Sequence, residues 1–257
     1  MKSQSERKVV IKGVTIGGSK PLICIPLIEK EKSKVLEHAK FLKSMNPDLI
    51  EWRADGYDDV GDVKDCLSVL DEMNRGIGNT PLLFTCRIDS EGGVAKLTEE
   101  DRLTLIKTVM QSGNVDLVDI EMCNPPVFID AVKSVADHTG VKLILSYHNF
   151  TETPETNIIQ DKLVQAQKRG CDIAKVAVMP SGPEDVLILL EATLRARRDK
   201  VKCPIIAISM GDLGRVTRIA GGLFGSDITF AAGQAETAPG QIPAKFLRDA
   251  MDLLYEI

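Results

Sequence analysis

Cys171-Asp172-Ile173-Ala174-Lys175-Val176-Ala177-Val178-Met179-Pro180 is a short apolar run that follows Gly170, ends in a proline and carries one ammonium side chain in its middle. A run of this length with such flanks reads as a buried β-strand. Side chains alternate along a strand, so Lys175 shares a face with Ile173 and Ala177. Burial disfavours the charged form of lysine and enlarges the fraction of free amine, the form that attacks a carbonyl to make a Schiff base. A lysine at a strand end that reaches out to water has the same local sequence, so the rest of the chain must separate the two readings.

Runs of the same kind recur on both sides: Leu22 to Leu27, Leu49 to Arg53, Leu82 to Arg87, Leu117 to Glu121, Leu143 to Tyr147, Ile205 to Ser209 and Ile228 to Ala231. Between them lie stretches with helical spacing: Glu31 to Ser44, Val60 to Arg75, Glu99 to Gln111, Pro126 to His138, Pro154 to Arg169, Pro183 to Arg198, a shorter one near Val216 to Phe224, and Pro243 to Tyr255. In the last, Phe246, Leu247, Ala250, Met251 and Leu254 recur at three- and four-residue intervals, as a helix covering a sheet requires. Thr98 reads as an N-cap before Glu99, Thr153 as one before Pro154, and Gly140 and Gly170 stand just past two helix ends. Val9 to Ile11 and Val14 to Ile16 around Lys12-Gly13 predict a small hairpin. Strand-helix units repeating over 257 residues, without a composition break, predict one α/β domain over residues 1–257: a (β/α)8 TIM barrel with a short N-terminal β-hairpin.

Composition narrows the function. The formal net charge of -5 and pI near 5.4 argue against nucleic acid or an anionic membrane as partner, because both demand a basic face. Met1 to Lys8 lacks the apolar core of a signal peptide and no stretch is long enough to span a bilayer, which predicts a cytoplasmic protein. The six cysteines are scattered singly, none near a histidine at metal-ligand spacing. They read as reduced, packed thiols, and no metal is expected.

In such a barrel the active site lies at the C-terminal ends of the strands. Charge collects there: Glu51 and Arg53 share a face, Arg87 closes the third run, Asp119 and Glu121 share a face on the fourth, and His148 follows the fifth. For an isolated one of these, an ion pair at the rim would suffice. Together with Lys175 they would line a charged pocket that costs stability unless a ligand or a reaction uses it. Of the three histidines, His38 reads as a solvated helix residue and His138 as serving a helix C-terminus. His148 remains as the general acid and base. The loops after the last two runs are glycine-rich, with Arg218 placed to hold a carboxylate and the Pro239-Gly240-Gln241 segment placed as a lid. Met210 and Phe230, at the ends of the last two runs, are further candidates. Gly221 to Gly225 matches no phosphate-loop or dinucleotide fingerprint and reads as a tight connection. Arg195, Arg197, Arg198 and Lys200 read as a solvated face.

These residues resemble the type I 3-dehydroquinate dehydratases of the shikimate pathway over nearly the whole chain. The matching stretches are Glu51-Trp52-Arg53, Arg87 with Glu91-Gly92-Gly93, Ser146-Tyr147-His148-Asn149-Phe150, Lys175 with Val178-Met179-Pro180, Ser209-Met210 followed by Arg218, and Thr237-Ala238-Pro239-Gly240-Gln241. Thr237 stands where a serine commonly begins the lid, and both carry a hydroxyl. The resemblance implies a (β/α)8 barrel, commonly a homodimer, with no metal or organic cofactor. It implies that Lys175 forms an imine with 3-dehydroquinate, that His148 moves the protons and that Glu91 orients it. Arg218 would take the substrate carboxylate, and Glu51, Arg53, Arg87, Thr237 and Gln241 would contact the rest. Asp119 enters from strand geometry alone, as a polar neighbour of the histidine.

The residues by themselves lead to a Schiff-base lyase, since elimination next to a ketone needs a metal or an iminium to take up electrons, and the chain offers the lysine. They do not name the substrate. A class I aldolase and a catalytically silent barrel that binds a polyol acid remain open at this point.

Overall fold

The computed structural model describes residues 4–255, so residues 1–3 and 256–257 of the expected 1–257 unit lie outside the described residues. The chain opens with the hairpin β1 (Val9–Ile11) and β2 (Val14–Ile16), turning through Lys12 at φ 47° and Gly13 at φ 83°. It continues as β3 (Leu22–Leu27), α1 (Lys32–Ser44), β4 (Leu49–Arg53), α2 (Val63–Ile77), β5 (Leu82–Thr85), α3 (Glu99–Gln111), β6 (Leu117–Glu121) and α4 (Pro126–Thr139). Then follow β7 (Lys142–Asn149), α5 (Thr156–Lys168), β8 (Ile173–Val178), α6 (Pro183–Asp199), β9 (Ile205–Ser209), α7 (Arg215–Ala220), β10 (Ile228–Phe230) and α8 (Ala244–Tyr255).

β3 to β9 pair in parallel in chain order, and β10 pairs with β3. Asp227 N, just ahead of β10, donates to Ile205 O at 2.6 Å and brings the last two strands together. The result is the predicted TIM barrel with its N-terminal hairpin.

Strand alternation divides the apolar residues into two cores. Cys24, Leu49, Leu83, Leu117, Ile144, Ile173, Ile206 and Ile228 fill the barrel, and Val9, Ile11 and Ile16 of the hairpin close its floor. Residues offset by one, such as Ile23, Ile50, Phe84, Val118, Leu145 and Ala174, pack outward against the helices. Each Leu or Ile so buried contributes about 1.5–3 kcal/mol. Lys175 stands between Ile173 and Ala177 on the inward face of β8, so its side chain enters the barrel above a floor of apolar residues.

Most element ends follow their local chemistry. Thr98 caps α3 by accepting Asp101 N at 3.1 Å, and Gly140 ends α4 at φ 82°. Others depart from expectation. β5 stops at Thr85 rather than Arg87, because Arg87 N leaves the ladder to donate to Asp55 Oδ1. α2 starts at Val63 rather than Val60, capped by Asp62 Oδ1, which accepts from the backbone of Lys64 and Asp65. Thr153 does not cap α5; its hydroxyl donates to Met179 O at 2.9 Å, and the helix begins at Thr156.

His38 and Arg197 are corrections of another kind. His38 lies on the core face of α1 with Val35, Ala39 and Leu42 and pairs through Nδ1 with Glu29 Oε1 at 3.0 Å. Arg197 is buried on α6 and binds Asp227 Oδ2 at 2.5 Å and Cys203 O at 2.8 Å. In both, helical spacing outweighed residue type.

Candidate active site

The strand tips open into a cavity. Glu51, Arg53, Arg87, Glu91, His148, Lys175, Met210, Arg218, Phe230, Thr237 and Gln241 all line it. Asp119 does not. It lies one step deeper, where its Oδ2 holds Lys175 Nζ at 2.7 Å.

Lys175 is therefore buried as expected but not alone. Besides Asp119, its ammonium sits 4.8 Å from the centroid of the Phe230 ring. Asp119 also meets Arg87, with Nη2 at 2.9 Å from Oδ2 and Nη1 at 3.1 Å from Oδ1, and accepts from Ser146 Oγ at 2.5 Å. Burial works to raise the pKa of this carboxyl, but Arg87 and Lys175 together hold it well below the usual carboxylate range.

His148 is reached through Glu91. Glu91 Oε2 accepts from His148 N at 2.9 Å and faces Nδ1 at 2.8 Å, while Oε1 accepts from Cys123 Sγ at 3.0 Å. A carboxylate accepts only, so the imidazole proton resides on Nδ1 and Nε2 keeps its lone pair. Phe150 stacks on the imidazole, centroids 6.3 Å apart and planes 18° from parallel. Gly92 makes room for that ring, since a Cβ there would lie 2.7 Å from Phe150 Cζ.

Burial, followed by the positive charges of Arg87 and Lys175, holds His148 well below its ordinary pKa. Burial raises Glu91, opposed first by the Cys123 thiol, and burial together with Glu91 pushes that thiol up to about 12. The site thus holds a neutral imidazole, oriented and ready to accept a proton.

This has a consequence for acid stability. The unfolded chain protonates histidine near pH 6.5, whereas folded His148 stays neutral to lower pH. The native state is then favoured above that value and loses stability as the pH falls below it. In urea titrations, His148→Asn should lose less stability than the parent below about pH 6.5; identical acid slopes would count against a neutral buried imidazole.

Several neighbours escaped sequence reading. Asp55 grips Arg53 through both oxygens, at 2.8 Å to Nε and 2.8 Å to Nη2, and also accepts Arg87 N at 3.2 Å and Val94 N at 3.3 Å. Thr85 Oγ1 donates to Glu51 Oε1 at 2.8 Å. Arg218 spans α7 to the loop at Pro239, donating to Phe230 O at 3.1 Å and Pro239 O at 2.8 Å. Among the described residues its Nε has no hydrogen-bond partner, and the side chain is almost wholly buried. Burial lowers its pKa to about 10. Gln241 Oε1 accepts Thr237 N at 2.8 Å, which folds the 237–241 loop on itself.

The comparisons with known proteins agree on one relationship. The sequence profile described as Type I 3-dehydroquinase matches residues 23–257. A 3-dehydroquinate dehydratase of Geobacillus thermodenitrificans is 43% identical over 251 residues, covering 97% of each chain. Among solved structures, the 3-dehydroquinate dehydratase of Geobacillus kaustophilus superposes with a TM-score of 0.95 at 40% identity, covering 99% of this chain and 98% of that one. The type I enzyme of Clostridium difficile, solved with covalently modified comenic acid, gives a TM-score of 0.95 at 40% identity over 100% and 99% of the two chains.

Proposed function

The chain belongs to the type I 3-dehydroquinase family and is a hydro-lyase; from that premise we propose that it dehydrates 3-dehydroquinate through an imine on Lys175, with His148 as the acid and base. The observation that carries this reading is the pairing of a buried lysine amine with a carboxylate-oriented neutral histidine in one cavity.

The free amine of Lys175 adds to the substrate ketone, and loss of water from the carbinolamine leaves an iminium. The iminium draws electrons from the adjacent carbon, so His148 Nε2 can remove a proton there and leave an enamine. The imidazolium, stabilised by Glu91, returns that proton to the hydroxyl one carbon further on. The hydroxyl departs as water, and hydrolysis of the product imine frees the lysine. One water is lost in the net reaction.

Arg218 faces the cavity, and among the described residues its guanidinium donates to two backbone carbonyls and to no carboxylate. A buried cation in that condition suits an anionic ligand, here the substrate carboxylate. Arg218→Leu should raise KM roughly 10- to 100-fold, the worth of a charged hydrogen bond, with a smaller effect on kcat; an unchanged KM would place the carboxylate elsewhere. Glu51, Arg53, Arg87, Thr237 and Gln241 surround the remaining space and would meet the substrate's hydroxyls.

A cytoplasmic homodimer is proposed as the setting. Among the described residues no helix is long and apolar enough to cross a membrane, and light scattering would measure the mass. The mechanism is tested by incubating the protein with 3-dehydroquinate and borohydride, followed by intact mass and peptide mapping. A reduced adduct on Lys175 is expected; product formed with no adduct would keep the reaction and discard the imine.

A further inference from the structure

Five buried side chains alternate in charge along one chain of ion pairs: Lys175, Asp119, Arg87, Glu121 and Arg102. Arg102 sits on the core face of α3 with Leu105, Ile106 and Val109, outside the barrel wall. It does not line the cavity.

Glu121 divides its oxygens between two cations. Oε1 accepts from Arg87 Nη1 at 2.7 Å and Ile88 N at 3.3 Å, and Oε2 accepts from Arg102 Nη2 and from Asn124 Nδ2 at 3.1 Å. Arg102 is fixed on its other sides: Nε donates to Cys86 O at 2.7 Å, Nη1 donates to Asn124 Oδ1 at 2.8 Å, and the Phe128 ring centroid lies 5.0 Å from Cζ.

Arg87 is the contested member. Its Nη1 faces both Glu121 Oε1 and Asp119 Oδ1, so two carboxylates draw on one guanidinium. At low dielectric such competition follows charge balance. A Glu121 with a cation on each oxygen engages Arg87 at one point only. A Glu121 without Arg102 is a buried carboxylate with one cation, and it gains by drawing that guanidinium fully onto itself. Asp119 then loses the two contacts that aim its Oδ2 at Lys175.

We propose that Arg102 is a positioning residue for the reaction: by holding Glu121 Oε2 it leaves Arg87 on Asp119, and Asp119 fixed against the Lys175 amine. The assignment rests on Lys175 as the reacting amine. Borohydride trapping in the parent protein reports on that point separately, so the two ideas fail in different experiments.

The test is steady-state dehydration by Arg102→Met, which keeps the length and the apolar stem, and by Arg102→Met with Glu121→Gln. Arg102→Met should lower kcat by about tenfold to a hundredfold, the range for a misplaced reacting group. Adding Glu121→Gln removes the competing charge and should return kcat to within roughly threefold of the parent, a coupling that separates charge balance from packing. A purely structural Arg102 would give no such rescue, because its contacts to Cys86, Asn124 and Phe128 stay lost. Parental kcat in Arg102→Met, or a double variant no better than the single one, overturns the assignment. Should Arg102→Met fail to fold, Arg102→Lys decides: it keeps a cation on Glu121 and should retain most of kcat, whereas a hundredfold loss there would place the role in the forked contacts.

Discussion

Alanine at position 175 is expected to reduce dehydration by roughly 10^5-fold, the scale on which loss of a covalent nucleophile acts, while 3-dehydroquinate still binds. The remaining cavity keeps Arg218, Arg53 and Glu51 on its walls, so calorimetric affinity should change far less than rate. The fold should tolerate the change, because Asp119 retains Arg87 at 2.9 Å and Ser146 at 2.5 Å. Rapid product formation by the alanine variant would sink the imine mechanism outright. Loss of binding together with activity would move Lys175 from chemistry to recognition.

Asp119→Ala should act on both rate and stability. It leaves two buried cations, Lys175 and Arg87, without the carboxylate they share. Breaking a buried pair from one side costs about 3–5 kcal/mol, which for a chain of this size lowers the melting midpoint by about 10 °C. Urea unfolding with an unchanged slope would confirm that stability, rather than the extent of the transition, had moved. Acid behaviour gives a second reading. The unfolded carboxyl protonates near pH 3.9, whereas the folded one, with Arg87 and Lys175 beside it, resists until lower pH. Its contribution is present above that value and disappears as the pH falls through the folded pKa. Asp119→Asn should therefore flatten the acid limb of the stability curve; an unaltered limb would mean that other carboxylates carry it.

Hydrophobic period alone located the strands, since a barrel strand buried on both faces is an unbroken apolar run. Lys175 stood out as an ionisable residue at a strand position that burial should forbid, and His148 as the one histidine at a strand end. What stayed hidden were partners chosen across the fold. Nothing local says that Asp55 will grip Arg53 and also catch the backbone of Arg87 and Val94, or that the Cys123 thiol will support Glu91. Arg102 and Arg197 did leave a signal, an arginine where helical spacing calls for an apolar residue. Such a position needs a buried anion, and Glu121 and Asp227 supply it.

The pairing of β10 with β3 bears on how the protein is made. Ser5 Oγ reaches Asp227 Oδ2 across 222 residues, and Leu22 pairs with Ile228. At ribosomal speeds of about 5–20 residues per second, the first barrel strand waits roughly 10–40 s for its neighbour to be synthesised. Throughout that interval β3 presents an unpaired apolar edge, the kind of surface that recruits foreign strands. Mutations that slow β10 would thus show themselves as aggregation during expression before they show as any defect in the purified enzyme.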